Sequence, residues 1–106
     1  MNLLIHEIKP EQKENLKDWG EKLMNERKEE AVKTLKQENI ELEAVFLAEL
    51  DGKTYFICID ETGEGGKDPV DMSEDINQKH RKILGKAFKK RNVADGDLVY
   101  KVEKDE

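Results

Sequence analysis

The sequence predicts an α+β fold in which strands and helices follow one another in the order β-α-β-β-α-β. Three observations lead to that class. Apolar residues recur every three or four positions in two separate stretches, which is the spacing of an amphipathic helix. The pair Asp51-Gly52, typical of tight hairpin turns, separates two apolar segments of strand-like composition. Two further short apolar segments, near the two ends of the chain, also have the composition of strands.

The first half of the chain predicts a strand and one long helix. Leu3–Ile8 reads as the strand, and Pro10 stands where a helix can begin because its fixed φ suits a first turn. The helix is predicted to end near Asn39. Its apolar stripe consists of Leu16, Trp19, Leu23, Arg27, Ala31 and Leu35. An arginine on such a stripe is unusual, and an ion pair or a snorkelling side chain would accommodate its charge.

The middle of the chain predicts a hairpin formed by residues 40–50 and 54–59. Side chains alternate between the two faces of a sheet along a strand. The second strand therefore divides into two sets, which are Tyr55, Ile57 and Ile59 on one face and Phe56 and Cys58 on the other. Both sets are apolar, so both faces of the sheet favour burial.

The last third predicts a second helix and a final strand. Asp71 or Ser73 can cap the helix, and its apolar face consists of Ile76, His80, Ile83, Leu84, Ala87 and Phe88. Residues 89–91 are basic and are predicted to form its last turn, where cations suit the helix dipole. A turn over residues 92–96 and a strand over 98–102 complete the expected order.

This order is that of the ferredoxin-like, or split βαβ, arrangement. We therefore expect a single domain over residues 1–106, with a four-stranded antiparallel sheet and two helices on one of its faces. One helical layer would leave the other apolar face in water. A second copy packed sheet to sheet would cover it, so we expect a homodimer that closes a dimeric α+β barrel.

Composition limits the classes of function. Leu, Ile, Val and Phe make up 26 of 106 residues, enough to favour a folded chain although 42% of the residues are charged. A formal net charge of −6 disfavours nucleic acid as a partner. We find no signal peptide and no membrane span, so the cytoplasm is the expected location.

No cofactor or metal is predicted. Cys58 is the only cysteine, which excludes an internal disulfide and a cysteine zinc cluster. The glycine-rich stretch 63–66 lacks the last glycine of a dinucleotide-binding motif, and no Gly-Lys-Ser/Thr of a P-loop follows, because Asp68 comes after Lys67. The acidic residues around it would repel phosphate. We interpret the segment from Gly63 to Met72 as a flexible connection that could act as a lid.

Two groups of residues carry a resemblance to a known family. They are Gly63-Glu64-Gly65-Gly66 with Val70, Ser73, Ile76 and Lys79-His80, and the earlier run of Trp19, Asn25-Glu26, Thr34-Leu35, Glu43, Phe46, Glu49 and Asp51-Gly52. Together they resemble the DUF6176 family of unknown function, over nearly the whole chain. The resemblance implies the dimeric α+β barrel superfamily, which includes sugar mutarotases, cofactor-poor monooxygenases and regulatory ligand-binding domains. It implies no particular reaction.

The candidate ligand-binding residues are His80, Tyr55, Glu43, Arg27 and Trp19. His80 is an imidazole on an apolar helix face, which suits proton transfer or hydrogen bonding to a ligand, although a buried, satisfied histidine is the simpler alternative. Glu43 shares strand parity with Glu49 at ~20 Å, too far for one catalytic pair, and a charge that protects a strand edge is its simpler role. Trp19 is most simply part of the core.

Three functions remain open from the sequence. The first is a homodimer that binds a small molecule in or beside the barrel. The second is a small metal-free enzyme, similar to an isomerase, a mutarotase or a cofactor-poor monooxygenase, that uses His80 with a carboxylate. The third is a structural or partner-binding module. A recognisable nucleophile or cofactor motif would favour the enzyme, and the sequence contains none.

Overall fold

Four strands form one antiparallel sheet in the order β2-β3-β1-β4, in a computed structural model that describes residues 1–104. The strands are β1 (Asn2–Ile8), β2 (Ile40–Leu50), β3 (Lys53–Thr62) and β4 (Phe88–Gly96). The predicted α+β class and four-stranded antiparallel sheet are confirmed. Asp51 and Gly52 connect β2 to β3 with φ of 52° and 75°, a pair of left-handed residues that suits a two-residue hairpin.

The prediction of one long first helix is wrong, because this part of the chain forms two shorter helices. After a 3₁₀ turn at Pro10–Gln12 come α1 (Lys13–Met24) and α2 (Lys28–Gln37), and with α3 (Asp75–Ala87) the described chain has three helices instead of the expected two. Asn25 leaves helical geometry with ψ of −81°, and its side chain donates to the carbonyl of Glu21. A side chain that bonds to nearby backbone in this way competes with helix continuation.

The main core lies between the helices and one face of the sheet. Its buried residues are Ile8, Leu16, Phe56 and Ala87, so both α1 and α3 contact the sheet face that carries Phe56. Because side chains alternate, Cys58 points to this inner face and Tyr55 to the opposite, outer face.

The C-terminal region differs from the prediction. α3 ends at Ala87, and the basic residues expected in its last turn belong to β4. Phe88 pairs with Ile8, its ring packs 4.5 Å from that of His6, and the carbonyl of Ala87 accepts the N–H of Lys9. These contacts place Phe88 in β4, although the helical spacing of apolar residues extends to it. The predicted turn over residues 92–96 is thus strand, with a bulge near Asn92.

The predicted strand over residues 98–102 is not formed either. Leu98, Val99, Tyr100 and Val102 are exposed, and Lys101 makes an ion pair with Glu61. None of the helices within residues 1–104 combines the length and the apolar character that a membrane crossing requires.

Candidate functional site

Trp19 and His80 meet between α1 and α3. Both lie on the apolar stripes of their helices, and the indole Nε1–H of Trp19 donates to Nδ1 of His80 at 2.9 Å. Trp19 is only 5% exposed, whereas His80 is half-buried. The hydrogen bond joins the two helices and fixes the orientation of the imidazole.

This contact also determines which nitrogen of His80 carries the proton. An indole nitrogen can only donate, so Nδ1 must present its lone pair and the neutral ring carries its hydrogen on Nε2. Burial lowers the pKa of His80 below its usual 6.5, and the nearby charge of Glu43 offsets this only in part. His80 is therefore held as a neutral imidazole with an Nε2–H donor.

The donor of His80 is available for a further contact. Among residues 1–104, Nε2 has no hydrogen-bond partner. The same residues contain no buried side-chain nitrogen or oxygen left without a partner. It follows that Nε2 is reachable from solvent.

Arg27 extends this group on the side of the helix break. Its guanidinium lies 5.9 Å from the centroid of the Trp19 ring and bonds to Glu30 at 2.7 Å and to Asp75 at 3.1 Å. The two carboxylates raise the pKa of Arg27, with Glu30 contributing most. Arg27 thus links α1, α2 and α3, and its charge is already neutralised by carboxylates of the chain.

Glu43 and Cys58 form the sheet side of the group. Sγ of Cys58 on β3 donates weakly to Oε1 of Glu43 on β2 at 3.8 Å. Burial, followed by the charges of Glu43 and Asp60, raises the pKa of Cys58 to about 12. Cys58 therefore remains a thiol at neutral pH, and Glu43 is a hydrogen-bond acceptor whose charge acts on both Cys58 and His80.

The helices leave part of the inner sheet face uncovered. Leu4 and Val45 are the register partners of Cys58 and share its face, yet they are 39% and 45% exposed. One row nearer the hairpin, Phe56 is buried in the core. We call this opening the inner cleft, with Leu4, Val45 and Cys58 as its floor and Glu43 and His80 beside it.

A depression of about 470 Å³ continues from Leu4 toward β4, where residues 92–95 line it. Another depression of about 300 Å³ lies at the hairpin turn, between Pro10 and residues 49–54, and contains none of the candidate residues. Within residues 1–104, no three His, Cys, Asp or Glu side chains are placed to hold a metal ion.

Three of the five residues predicted from the sequence are brought together through Trp19, namely His80, Trp19 and Arg27, and the charge of the fourth, Glu43, acts on His80. Tyr55 is not among them, because it lies on the outer face beside Glu7 and Ala48. Sequence reasoning missed Leu4 and Val45. Their strand parity with Cys58 was the signal that could have found them, once the face toward the helices was known.

The glycine-rich connection is tied to the end of α2. Asn39, with φ of 57°, donates from Nδ2 to the carbonyls of Glu64 and Gly66 at 2.9 and 2.7 Å, and Gly63 donates its N–H to the carbonyl of Asn39. A Cβ on Gly63 would overlap the side chain of Asn39. The first half of the proposed lid is thus anchored, and its mobility stays a prediction.

A buried carboxylate lies under this anchored segment. Glu38 is 9% exposed, and burial raises its pKa while Lys67, at 3.9 Å, opposes the shift. The charge of Glu43 also acts on Glu38. The middle of the connection, at Lys67, is therefore linked through Glu38 to the carboxylate of Glu43 beside the inner cleft.

Comparison with known families decides the membership of the chain. A model of the family of unknown function DUF6176 matches residues 1–104. The chain belongs to the DUF6176 family. No curated protein and no solved structure matches it. The resemblance seen in the sequence is therefore confirmed, and membership in DUF6176 carries no activity with it.

Proposed function

We propose that this DUF6176 protein is a homodimer that binds a small molecule in the inner cleft. The observation that carries the proposal is the exposure of Leu4 and Val45 on the face that the helices should cover. Ligand sites commonly combine apolar side chains with a few convergent polar groups. Here the polar groups are His80 and Glu43.

The proposed assembly is a dimeric α+β barrel of ferredoxin-like subunits. Strand β3 lies between β2 and β1, and β1 lies between β3 and β4. Each β-α-β unit therefore has a strand of the other unit inserted between its own two, as a split βαβ arrangement requires. The contacts of Leu16 and Ala87 with one sheet face support a single helical layer.

The outer face supports the choice of a second copy as the partner. Its apolar side chains are Leu3, Ile5, Phe46, Tyr55, Ile57 and Ile59. Phe46 is 57% exposed. A two-fold contact would bring the same patch of each subunit together, and a specific interface of this kind buries at least ~1,000 Å² in total.

Native mass spectrometry of freshly purified protein tests both parts of the proposal at once. The expected spectrum contains a dimer and a retained small molecule that is lost from a Val45→Glu variant, because a charge would then occupy the cleft floor. Glu21→Gln, on the exposed surface of α1, is a control that should keep the molecule. A dimer that retains no small molecule and binds none that is added would contradict the proposed binding function and leave the proposed homodimer intact.

A metal-free enzyme is the second candidate, because the charge of Glu43 acts on His80 and such a pair can transfer protons. A general base needs an unprotonated nitrogen facing its substrate, and in His80 that nitrogen is bonded to Trp19. This geometry favours binding over proton abstraction. Turnover lost equally in His80→Gln and Glu43→Gln variants would support the enzyme.

A further inference from the structure

We propose that the inner cleft selects an uncharged ligand with a carboxamide-like group, whose carbonyl accepts from His80 and whose N–H donates to Glu43. This inference rests on the proposed binding function and names the chemistry of its ligand. It begins with the hydrogen bond between Trp19 and His80. Since Nδ1 is occupied, His80 can offer a ligand only the Nε2–H.

The neighbouring groups determine what else the ligand must carry. Glu43 is exposed and offers acceptor oxygens, and its one hydrogen bond within residues 1–104 is the weak contact from Cys58. Asp60 pairs with Glu43 in the register and accepts from Asn2 at 3.0 Å, which adds a second carboxylate to this edge. An anion would therefore meet acidic repulsion, while a donor N–H would be favoured.

A carboxamide joins an acceptor and a donor in one planar, uncharged group. Leu4 and Val45 would contact an apolar body attached to it. A carboxylate of the same shape loses the donor and is repelled by Glu43. An amidinium of the same shape keeps the donors but directs one of them at the His80 N–H, which then has no acceptor. A site discriminates strongly against a ligand that leaves one of its donors unpaired.

Benzamide, benzoate and benzamidine are matched probes of these three cases. We expect benzamide to bind most tightly, by about tenfold over each of the others, because each of those replaces one favourable hydrogen bond by a repulsive contact. NMR titration of isotope-labelled protein should show shifts at the Leu4 and Val45 methyl groups. The Tyr55 ring on the outer face is an internal control.

The tautomer of His80 is measured independently of any ligand. Long-range ¹H–¹⁵N spectra of the unliganded protein should show a neutral ring protonated at Nε2. A Trp19→Phe variant, which removes the indole donor, should mix the two tautomers and reduce the preference for benzamide over benzamidine. His80→Gln keeps an amide donor and should retain more benzamide binding than His80→Leu.

The outcomes separate this inference from the proposed function. Shifts at Leu4 and Val45 that are equally strong for benzoate or benzamidine overturn the ligand class while leaving binding in the cleft intact. A His80 ring protonated at Nδ1 also overturns it. If no probe perturbs the cleft and the purified protein retains no molecule, the proposed function and the inference fall together.

Discussion

The indole of Trp19 and the imidazole of His80 form a hydrogen bond of 2.9 Å that sets the protonation of a half-buried histidine. Protonation at Nδ1 would place two donors against each other. The bond therefore acts in the same direction as burial, which lowers the pKa of His80 below 6.5. It couples a helix contact to the charge state of the candidate site.

This coupling predicts how stability depends on pH. The unfolded chain takes up the proton of His80 near pH 6.5, whereas the folded protein takes it up only at lower pH. The stability that His80 contributes is thus fully present above 6.5 and decreases as the pH falls below it. Urea unfolding at pH 7.5, 6.5 and 5.5 should show this decrease.

The Trp19→Phe variant isolates the effect. Its His80 should have a pKa closer to 6.5, and the slope of stability against pH should become smaller. His6 provides an internal control, because burial and Arg91 lower its pKa and the substitution does not touch it. An NMR titration in which Trp19→Phe leaves the pKa of His80 unchanged would contradict the coupling.

The sequence predicted what depends on periodicity and turn chemistry. The hairpin at Asp51-Gly52 was predictable because few residue pairs adopt two left-handed conformations in succession. Trp19 and His80 were each identifiable as a member of a helix stripe, although not as partners of one another. The face toward the helices was not predictable, since Phe56 and Ile57 are both apolar and alternation alone treats the two faces alike.

The wrong element boundaries have their cause in hydrogen bonds and tertiary contacts, which the local spacing of apolar residues does not reveal. Asn25 ends α1 by bonding to its backbone, although the apolar stripe continues beyond it. β4 was not recognised as a strand because many of its residues are charged. Its position in the sheet is fixed by the contacts of Phe88 with Ile8 and His6. Charges are common on strands at the edge of a sheet, where they discourage pairing with other chains. The inner cleft depends on how far the helices extend over the sheet, which is a tertiary property.

Asn39 should stabilise the glycine-rich connection through its side chain. Replacing it with glycine keeps the left-handed backbone but removes the bonds to the carbonyls of Glu64 and Gly66, at a cost of about 1–2 kcal/mol in the free energy of unfolding. Asn39→Ala should cost roughly 0.5–1 kcal/mol more, because alanine is strained at a φ of 57°. Chemical denaturation measures both.

Hydrogen exchange identifies where the effect of Asn39→Gly occurs. The amides of Gly63 and Asp68, which donate to the carbonyls of Asn39 and Glu38, should exchange faster in the variant. Amides of β1 should exchange as in the wild type. Unchanged exchange at Gly63 and Asp68 would mean that the backbone contacts alone hold the segment.

Cys58 should react slowly with a disulfide reagent in the folded protein. With a pKa of about 12, only a minute fraction is thiolate at pH 8, so labelling should be roughly a thousandfold slower than in urea, where an ordinary thiol pKa applies. Glu43→Gln removes one of the charges that raise this pKa and should speed labelling. Equal rates in folded and unfolded protein would contradict this reading of the inner cleft.

The two faces of the sheet can be separated by charges placed on adjacent residues of β2. Phe46 and Val45 are both about half exposed, but they lie on the outer and the inner face respectively. Each replacement by glutamate should leave the subunit folded, because neither side chain is in the main core.

In the proposed dimer, Phe46→Glu places two like charges in the interface and should shift sedimentation to the monomer at micromolar concentration. Val45→Glu should remain a dimer and lose benzamide binding, while Phe46→Glu should retain that binding. A wild-type chain that sediments only as a monomer would exclude the barrel, and dissociation by Val45→Glu instead of Phe46→Glu would place the interface on the helix side.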